Sequence, residues 1–378
     1  MKKDNSARVI AILLCTIMVL LILLIVSFLL YICKEEFGNE KNIEIVDLSG
    51  QVEAISIENE FDEDKEPEEV ITVAIKPSTQ IQQVDNNIYS SSNDKFYYSQ
   101  LEEYSKLIYK SLEEQKDTLK TGRGSIKLPS KLGKLLETEE GKESIQGIFT
   151  IAMNAFEYDN PDIFYLDISK LVLYYEGDTS GNYNFYLKNE NGNYYIDDIT
   201  TEEEAIQKME EVNSVVQKIK DEIANKGINT EYKKILYVHD WIVNNIKYDE
   251  TLNKTNRNNI YGAFVEKEVT CGGYAKAFKY LMDELGINCI IIQGKATSDD
   301  TTEYHAWNYV GLDGKWYGID CTWDDPIIQG DTSRVNSKVH YTYFLKGKNT
   351  LEESHFQFDK FYSTNVDLNY PELNLEDY

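Results

Sequence analysis

Positive charge is scarce in this chain of 378 residues: 38 Lys and Arg stand against 65 Asp and Glu, a formal net charge of −27. A nucleic acid is itself a dense line of negative charge, so this balance argues against a nucleic-acid partner. Cysteine is scarce too, with five in all. Cys15 and Cys33 fall in or at the end of an apolar N-terminal stretch, which leaves Cys271, Cys289 and Cys321. A sparse, odd set in a long chain is no disulfide framework. It leaves room for one free thiol, with or without a Cys289–Cys321 bridge. No His, Cys and Asp set has metal-ligand spacing, and Asp324-Asp325 has no calcium-ligand loop around it. There is no phosphate-binding glycine loop and no internal repeat, so neither a metal nor a cofactor is expected.

What is present begins with an uncharged apolar run, Val9–Cys33. About 20 such residues span a bilayer as a helix. Lys2, Lys3 and Arg8 precede the run, and an acidic stretch follows. The positive-inside bias then puts residues 1–8 in the cytoplasm and everything after residue 33 outside. A cleaved signal peptide would end in small residues; this run ends Leu30-Tyr31-Ile32-Cys33. The expectation is an uncleaved signal-anchor at the plasma membrane. Residues 34–94 read as an acidic, disordered tether, with Val70–Ile75 as a strand lacking a visible partner.

Hydrophobic periodicity starts at Phe96. It predicts helices over Phe96–Lys120 and Lys142–Glu157, the latter stopped by Asn160-Pro161. Three aromatic-rich runs follow, Leu171–Tyr175, Tyr183–Lys188 and Asn193–Ile196, with Asn191-Gly192 as a hairpin signal. Thr200 with Glu203 reads as a capping box for a helix ended by Gly227, and Glu231–Ile246 as a further helix. The fold class is α+β. Residues 95–228 form a helical and β extension, and 229–378 a second domain.

That last domain carries the chemistry. Ala275, Phe278, Leu281, Met282 and Leu285 form a helical stripe ended by Gly286, so Cys271 sits at a helix N-terminus. The free N–H groups there stabilise a thiolate and can receive an oxyanion. Gly272 and Gly273 leave room for a substrate carbonyl. His305 begins a strand-like run, Ala306 to Val310, and Lys315 to Cys321 is its return strand. A loop of Gly311 to Gly314 puts His305 directly opposite Asp320. A tighter turn at Asp313-Gly314 makes them diagonal neighbours on the same face, roughly 5–8 Å apart. Either places a carboxylate where it can orient an imidazole. Cys321 then falls on the other face. His239, His340 and His355 read as packing residues.

Cys271-Gly-Gly-Tyr-Ala, His305-Ala-Trp-Asn and Trp316-Tyr-Gly-Ile-Asp320-Cys-Thr-Trp-Asp-Asp-Pro326, with Trp241 to Tyr248 before them, resemble the bacterial transglutaminase-like superfamily. The resemblance covers about residues 231–346. It implies a papain-like core, a helix bearing Cys on an antiparallel sheet. It also implies roles: Cys271 as nucleophile, His305 as acid and base, and Asp320 as the residue that holds His305. The implied substrate is a protein or peptide amide, attacked through a thioester that an amine or water resolves. Many members add an aromatic oxyanion donor, for which Trp241 and Tyr248 are candidates here. The alternatives are a cysteine peptidase or amidase and a non-catalytic surface-binding module.

Overall fold

The computed structural model describes residues 41–47, 51–57, 71–75, 95–177, 181–298, 301–325, 339–361 and 366–378. The apolar run at 9–33 lies outside them. Among the described residues no helix is long and apolar enough to cross a membrane. The chain divides into two compact units, the first ending at Ala74 and the second running Ile75–Tyr378. The extension and the domain expected on either side of residue 228 are thus one unit.

The first unit contains two strands where disorder was expected and a third on the run Val70–Ile75 read as a strand. β1 (Lys41–Asp47) pairs antiparallel with β2 (Gln51–Ile57) and parallel with β3 (Ile71–Ile75). Ile43 and Ile45 alternate with Asn42 and Glu44, the period of a strand. The high overall charge hid that alternation.

In the second unit the expected helix over 96–120 is three pieces: α1 (Phe96–Ser99), α2 (Glu103–Glu114) and α3 (Lys116–Lys120). Gln115 makes the second break. Its side chain donates to Ser111 and Lys127 carbonyls and accepts from the Lys127 N–H, which recruits the unanticipated β4 (Ile126–Leu128). α4 (Glu139–Asp159) is capped by Thr138. At its far end the Asp159 carboxylate accepts from the Tyr97 and Tyr98 N–H groups, fixing α1 onto α4. β5 (Val172–Gly177) and β6 (Tyr183–Lys188) pair antiparallel, and β4 takes the other edge of β6. That edge was expected to receive residues 193–196. Asn191-Gly192 still turns the chain, with Gly192 at φ +72°, but Tyr195 bridges to Leu166 instead.

α5 (Glu202–Asn225) is capped one residue later than expected, by Thr201 and Glu204 in a reciprocal box, with Gly227 beyond its end at φ +64°. α6 (Glu231–Asn245) leads into the short parallel pair β7 (Lys247–Tyr248) and β8 (Glu268–Val269). α7 (Cys271–Glu284) then packs on an antiparallel sheet. That sheet contains β9 (Cys289–Ser298), β10 (Thr301–Leu312), β11 (Lys315–Ile319) and, after α8 (Lys348–Leu351), β12 (His355–Gln357), in the order β11-β10-β9-β12. Between helix and sheet Ala275 meets Ile291 and Ala306, with Cys271 packed against them, and the Asn308 amide donates to the Ala275 carbonyl at 3.0 Å. Alternation puts buried Ile292, Trp307 and Tyr309 on the other face of the sheet. α1 and α4 join the same layer: the Tyr97 hydroxyl on α1 donates to the Ile291 carbonyl, and Glu157 on α4 pairs with Lys276 at 2.7 Å.

Candidate active site

The thiol sits at a pinned helix tip. Thr270 is extended, its N–H donates to the Arg257 carbonyl at 2.8 Å, and its hydroxyl bonds the Asn258 amide oxygen. The helix begins at the next residue, Cys271, which is half-buried. The Thr270 side chain does not cap this helix. The Gly273 and Tyr274 N–H groups donate to the Thr270 carbonyl at 2.9 and 3.2 Å, which leaves the N–H groups of Cys271 and Gly272 at the tip to face an incoming oxygen. The two glycines after Cys271 differ in purpose. Gly272 lines the cleft. Gly273 is buried against Val269 and the Arg257 carbonyl, where a β-carbon would collide with both. Packing, not substrate approach, therefore demands Gly273.

The imidazole and carboxylate come from the neighbouring hairpin. Leu312 pairs with Lys315, so the turn is Asp313-Gly314, with φ of 52° and 74°. Two successive positive φ values make the tight turn whose twist suits a hairpin. The register is therefore the diagonal one of the two expected. Asp320 follows directly on β11, and its Oδ2 accepts from His305 Nε2 at 2.7 Å. Oδ1 accepts from the N–H groups of Thr322 and Trp323 at 2.9 and 3.2 Å. With Nε2 engaged by Asp320, Nδ1 is the His305 nitrogen left, and the Cys271 sulfur beside the ring helps to favour its charged form. Burial opposes a charged ring here, but Asp320 and the Cys271 sulfur outweigh it and lift His305 to about 10. Burial likewise opposes the Asp320 charge, yet His305 and His355 hold this carboxyl below the usual range. Both shifts favour the imidazolium–carboxylate form of the pair.

Cys271 and His305 open onto a cleft of about 490 Å³. Glu157 and Tyr158 from α4, together with Asn258, Gln293, Tyr304 and Phe358, line it. Sequence reasoning missed Glu157 and Tyr158, which lie on a helix read as part of a separate extension. It also set His355 aside. That ring is 2 % exposed and places Nε2 3.1 Å from Asp320 Oδ2. The signal was its neighbour pattern, a polar Ser354 then a strand, but nothing local ties position 355 to 320.

The remaining residues sort clearly. Tyr248 neighbours the site: burial and then the charge of Cys271 raise its hydroxyl to about 12. Trp241 instead lies by Phe264 with the Lys267 ammonium 4.1 Å above its ring. His239 is fully buried and bonds Asp324 and Asp240 at 3.0 and 3.2 Å. Asp325 accepts from the Tyr274 hydroxyl at 2.7 Å. Cys289 and Cys321 are buried free thiols, not a bridge, and burial pushes both up. His305, Asp320 and His355 bring their ligand atoms within 4.8 Å of one another. Their 2.7 and 3.1 Å contacts are hydrogen bonds, however. Ligands about 2.0–2.1 Å from a tetrahedral zinc would stand roughly 3.3 Å apart.

Known proteins resemble part of this chain. Residues 217–321 match the transglutaminase-like superfamily. Kyphoscoliosis peptidase from Mus musculus is 25 % identical over 143 residues, 35 % of this chain and 22 % of that protein. The Homo sapiens protein of the same name is 24 % identical over the same share of each. The match thus takes in about a fifth of the length of these curated relatives. Among solved structures, the crystal structure of a TGase is 16 % identical, with 39 % of this chain and 43 % of that one covered and a TM-score of 0.28.

Proposed function

We propose that this member of the transglutaminase-like superfamily is a thiol enzyme acting on protein or peptide carboxamides through a thioester. The observation that carries the reading is His305 held between Asp320 and the Cys271 sulfur at the edge of an open cleft. The Cys271 thiolate attacks the carboxamide carbon, and the N–H groups at the tip of α7 receive the oxyanion. His305 gives its Nδ1 proton to the leaving nitrogen as the C–N bond breaks, leaving a thioester and a neutral ring. The ring then takes a proton from an incoming amine or water, which attacks the thioester and releases the thiolate. Amine gives acyl transfer and water gives hydrolysis.

Transfer is the preferred label; the peptidase named among the relatives supports hydrolysis as the second reading. The uncharged run at 9–33 would anchor the protein in the plasma membrane with the site outside. Incubating the full chain with a glutamine-bearing peptide and a labelled primary amine tests this. Amine incorporation lost in Cys271→Ala is the expected result. New termini or deamidation, also lost in Cys271→Ala, would move the enzyme to hydrolysis. Alkylation of Cys271 by iodoacetamide at a rate unchanged in His305→Ala would overturn the thiol–imidazole reading altogether.

A further inference from the structure

We propose that His355 is a positioning residue of this site: it holds the Asp320 oxygen that receives His305, and through it keeps the His305 ring aimed at Cys271. The proposal rests on the thiol-enzyme reading above and adds a fourth residue to it.

The argument starts from hydrogen-bond bookkeeping. A carboxylate offers about four acceptor sites. Asp320 is 1 % exposed and finds four donors: two backbone N–H groups on Oδ1, and His305 and His355 on Oδ2. The backbone pair anchors Oδ1 to its own turn. Oδ2, the oxygen that steers His305, has one further partner, and that partner is His355. The Ser354 hydroxyl is 2.8 Å from His355 Nδ1. With that hydroxyl donating, the ring carries its proton on Nε2 and gives it to Asp320. The result is a continuous line, Ser354, His355, Asp320, His305, Cys271.

The chain delivers this ring deliberately. β12 adds to the free edge of β9, with His355 opposite Ala296 and Gln357 opposite Gly294. A β-carbon on Gly294 would strike the Phe356 carbonyl and the Trp307 ring, so the close approach of β12 depends on that glycine. Trp307, Trp323 and Tyr343 box the His355 ring at centroid distances of 5.0, 4.8 and 5.0 Å. A phenyl ring would fill that box as well. Only the hydrogen bond requires histidine.

The titratable groups around Asp320 and His355 come from every adjoining element. They are His305 on β10, Cys271 on α7, Tyr248 on β7, Cys321 and Asp324 in the turn after β11, and Tyr343 ahead of α8. Of these, His305 alone shares Oδ2 with His355.

The test is the pH profile of Cys271 alkylation by iodoacetamide in the full chain, read by mass spectrometry, with buried Cys289 and Cys321 as internal references and thermal unfolding alongside. His355→Phe keeps the ring volume and removes the donor. It should slow Cys271 about tenfold near neutral pH, the usual scale for one hydrogen bond to a charged group. It should also move the acid limb towards neutrality, because Asp320 then gains a proton more readily. His355→Gln restores an N–H and should recover most of both. Ser354→Ala should shift the profile the same way by less. A folded His355→Phe with the native rate and acid limb overturns the proposal, as does a His355→Gln that behaves like His355→Phe. If neither His355 variant folds, the Ser354→Ala profile decides by the same criterion. His305→Ala separates the two layers: a native rate there sinks the thiol–imidazole reading. A lost rate there, with His355→Phe unaffected, sinks only the role of His355.

Discussion

Among the described residues His239, His305 and His355 are buried against buried aspartates, and the first two are not equivalent. His305 bonds Asp320 at 2.7 Å; His239 bonds Asp324 at 3.0 Å. Both rings favour their protonated form against the opposing effect of burial. The two aspartates lie in the same turn, yet their carboxyls move in opposite directions. Burial wins at Asp324 and raises it, whereas His305 and His355 together win at Asp320 and lower it. The decisive difference is the second nitrogen. His239 spends its Nδ1 on Asp240, so both ends of the ring are tied to acids. His305 spends one end on an acid and turns the other to a thiol at an open cleft. A buried imidazole with a carboxylate is a structural clamp until one nitrogen is left for chemistry.

The largest expected effect breaks the two apart by the same substitution. Asp320→Asn should cut turnover roughly 10³–10⁴-fold, since an amide neither stabilises the imidazolium nor enforces its orientation. Asp324→Asn should leave the rate per folded molecule near native. Steady-state rates normalised to titrated Cys271 would decide this, and equal losses at the two positions would erase the distinction.

Stability should show the reverse asymmetry. His239→Ala leaves Asp324 buried without the ring that faces it, and breaking a buried pair costs about 3–5 kcal/mol. Urea unfolding should show that loss while Cys271 alkylation of the folded fraction stays native. The pH sign follows from the raised ring values. A histidine lifted in the folded state contributes its full stability below its unfolded value, about 6.5. That contribution declines as pH rises through the folded value, which for His305 is about 10. The stability advantage of the native chain over His305→Ala should therefore fade between those two limits. An advantage that grew with pH across that window would reverse the assignment of charge.

Much of the site was legible because its parts are local. Cys271 is announced by the stripe that follows it, and His305 and Asp320 belong to one hairpin. The uncertainty between two registers was an uncertainty about a turn. It was resolved by Asp313 taking a positive φ, which a polar residue before glycine tolerates. What escaped was long-range. His355 reaches Asp320 only because an edge strand returns to β9, and Glu157 and Tyr158 reach the cleft because α4 packs beside the sheet. Neither contact leaves a period in the sequence. The 193–196 segment was misplaced for a related reason: a three-residue strand from residue 126 onward competed for the same edge and won.

The smallest effect sharpens the comparison at the surface, where each histidine has an exposed tyrosine near it. Tyr304 adjoins His305 in the chain, is 72 % exposed, and sits 5.8 Å from Phe358 at the cleft. Tyr341 is 44 % exposed and lies over the His239 ring at 5.4 Å. So exposed a ring as Tyr304 buries little in the free protein, and its removal should change stability by under about 0.5 kcal/mol. A bound peptide would cover it, so Tyr304→Ala should raise KM about three- to tenfold with kcat unchanged, the signature of binding shared by ground and transition states. Tyr341→Ala uncovers a buried clamp instead. It should lower the unfolding free energy by about 1 kcal/mol and leave KM alone. Paired KM and unfolding measurements on the two variants would test whether the cleft beside His305, and not the surface over His239, is where substrate lies. A KM change in Tyr341→Ala matching that in Tyr304→Ala would remove the cleft from that role.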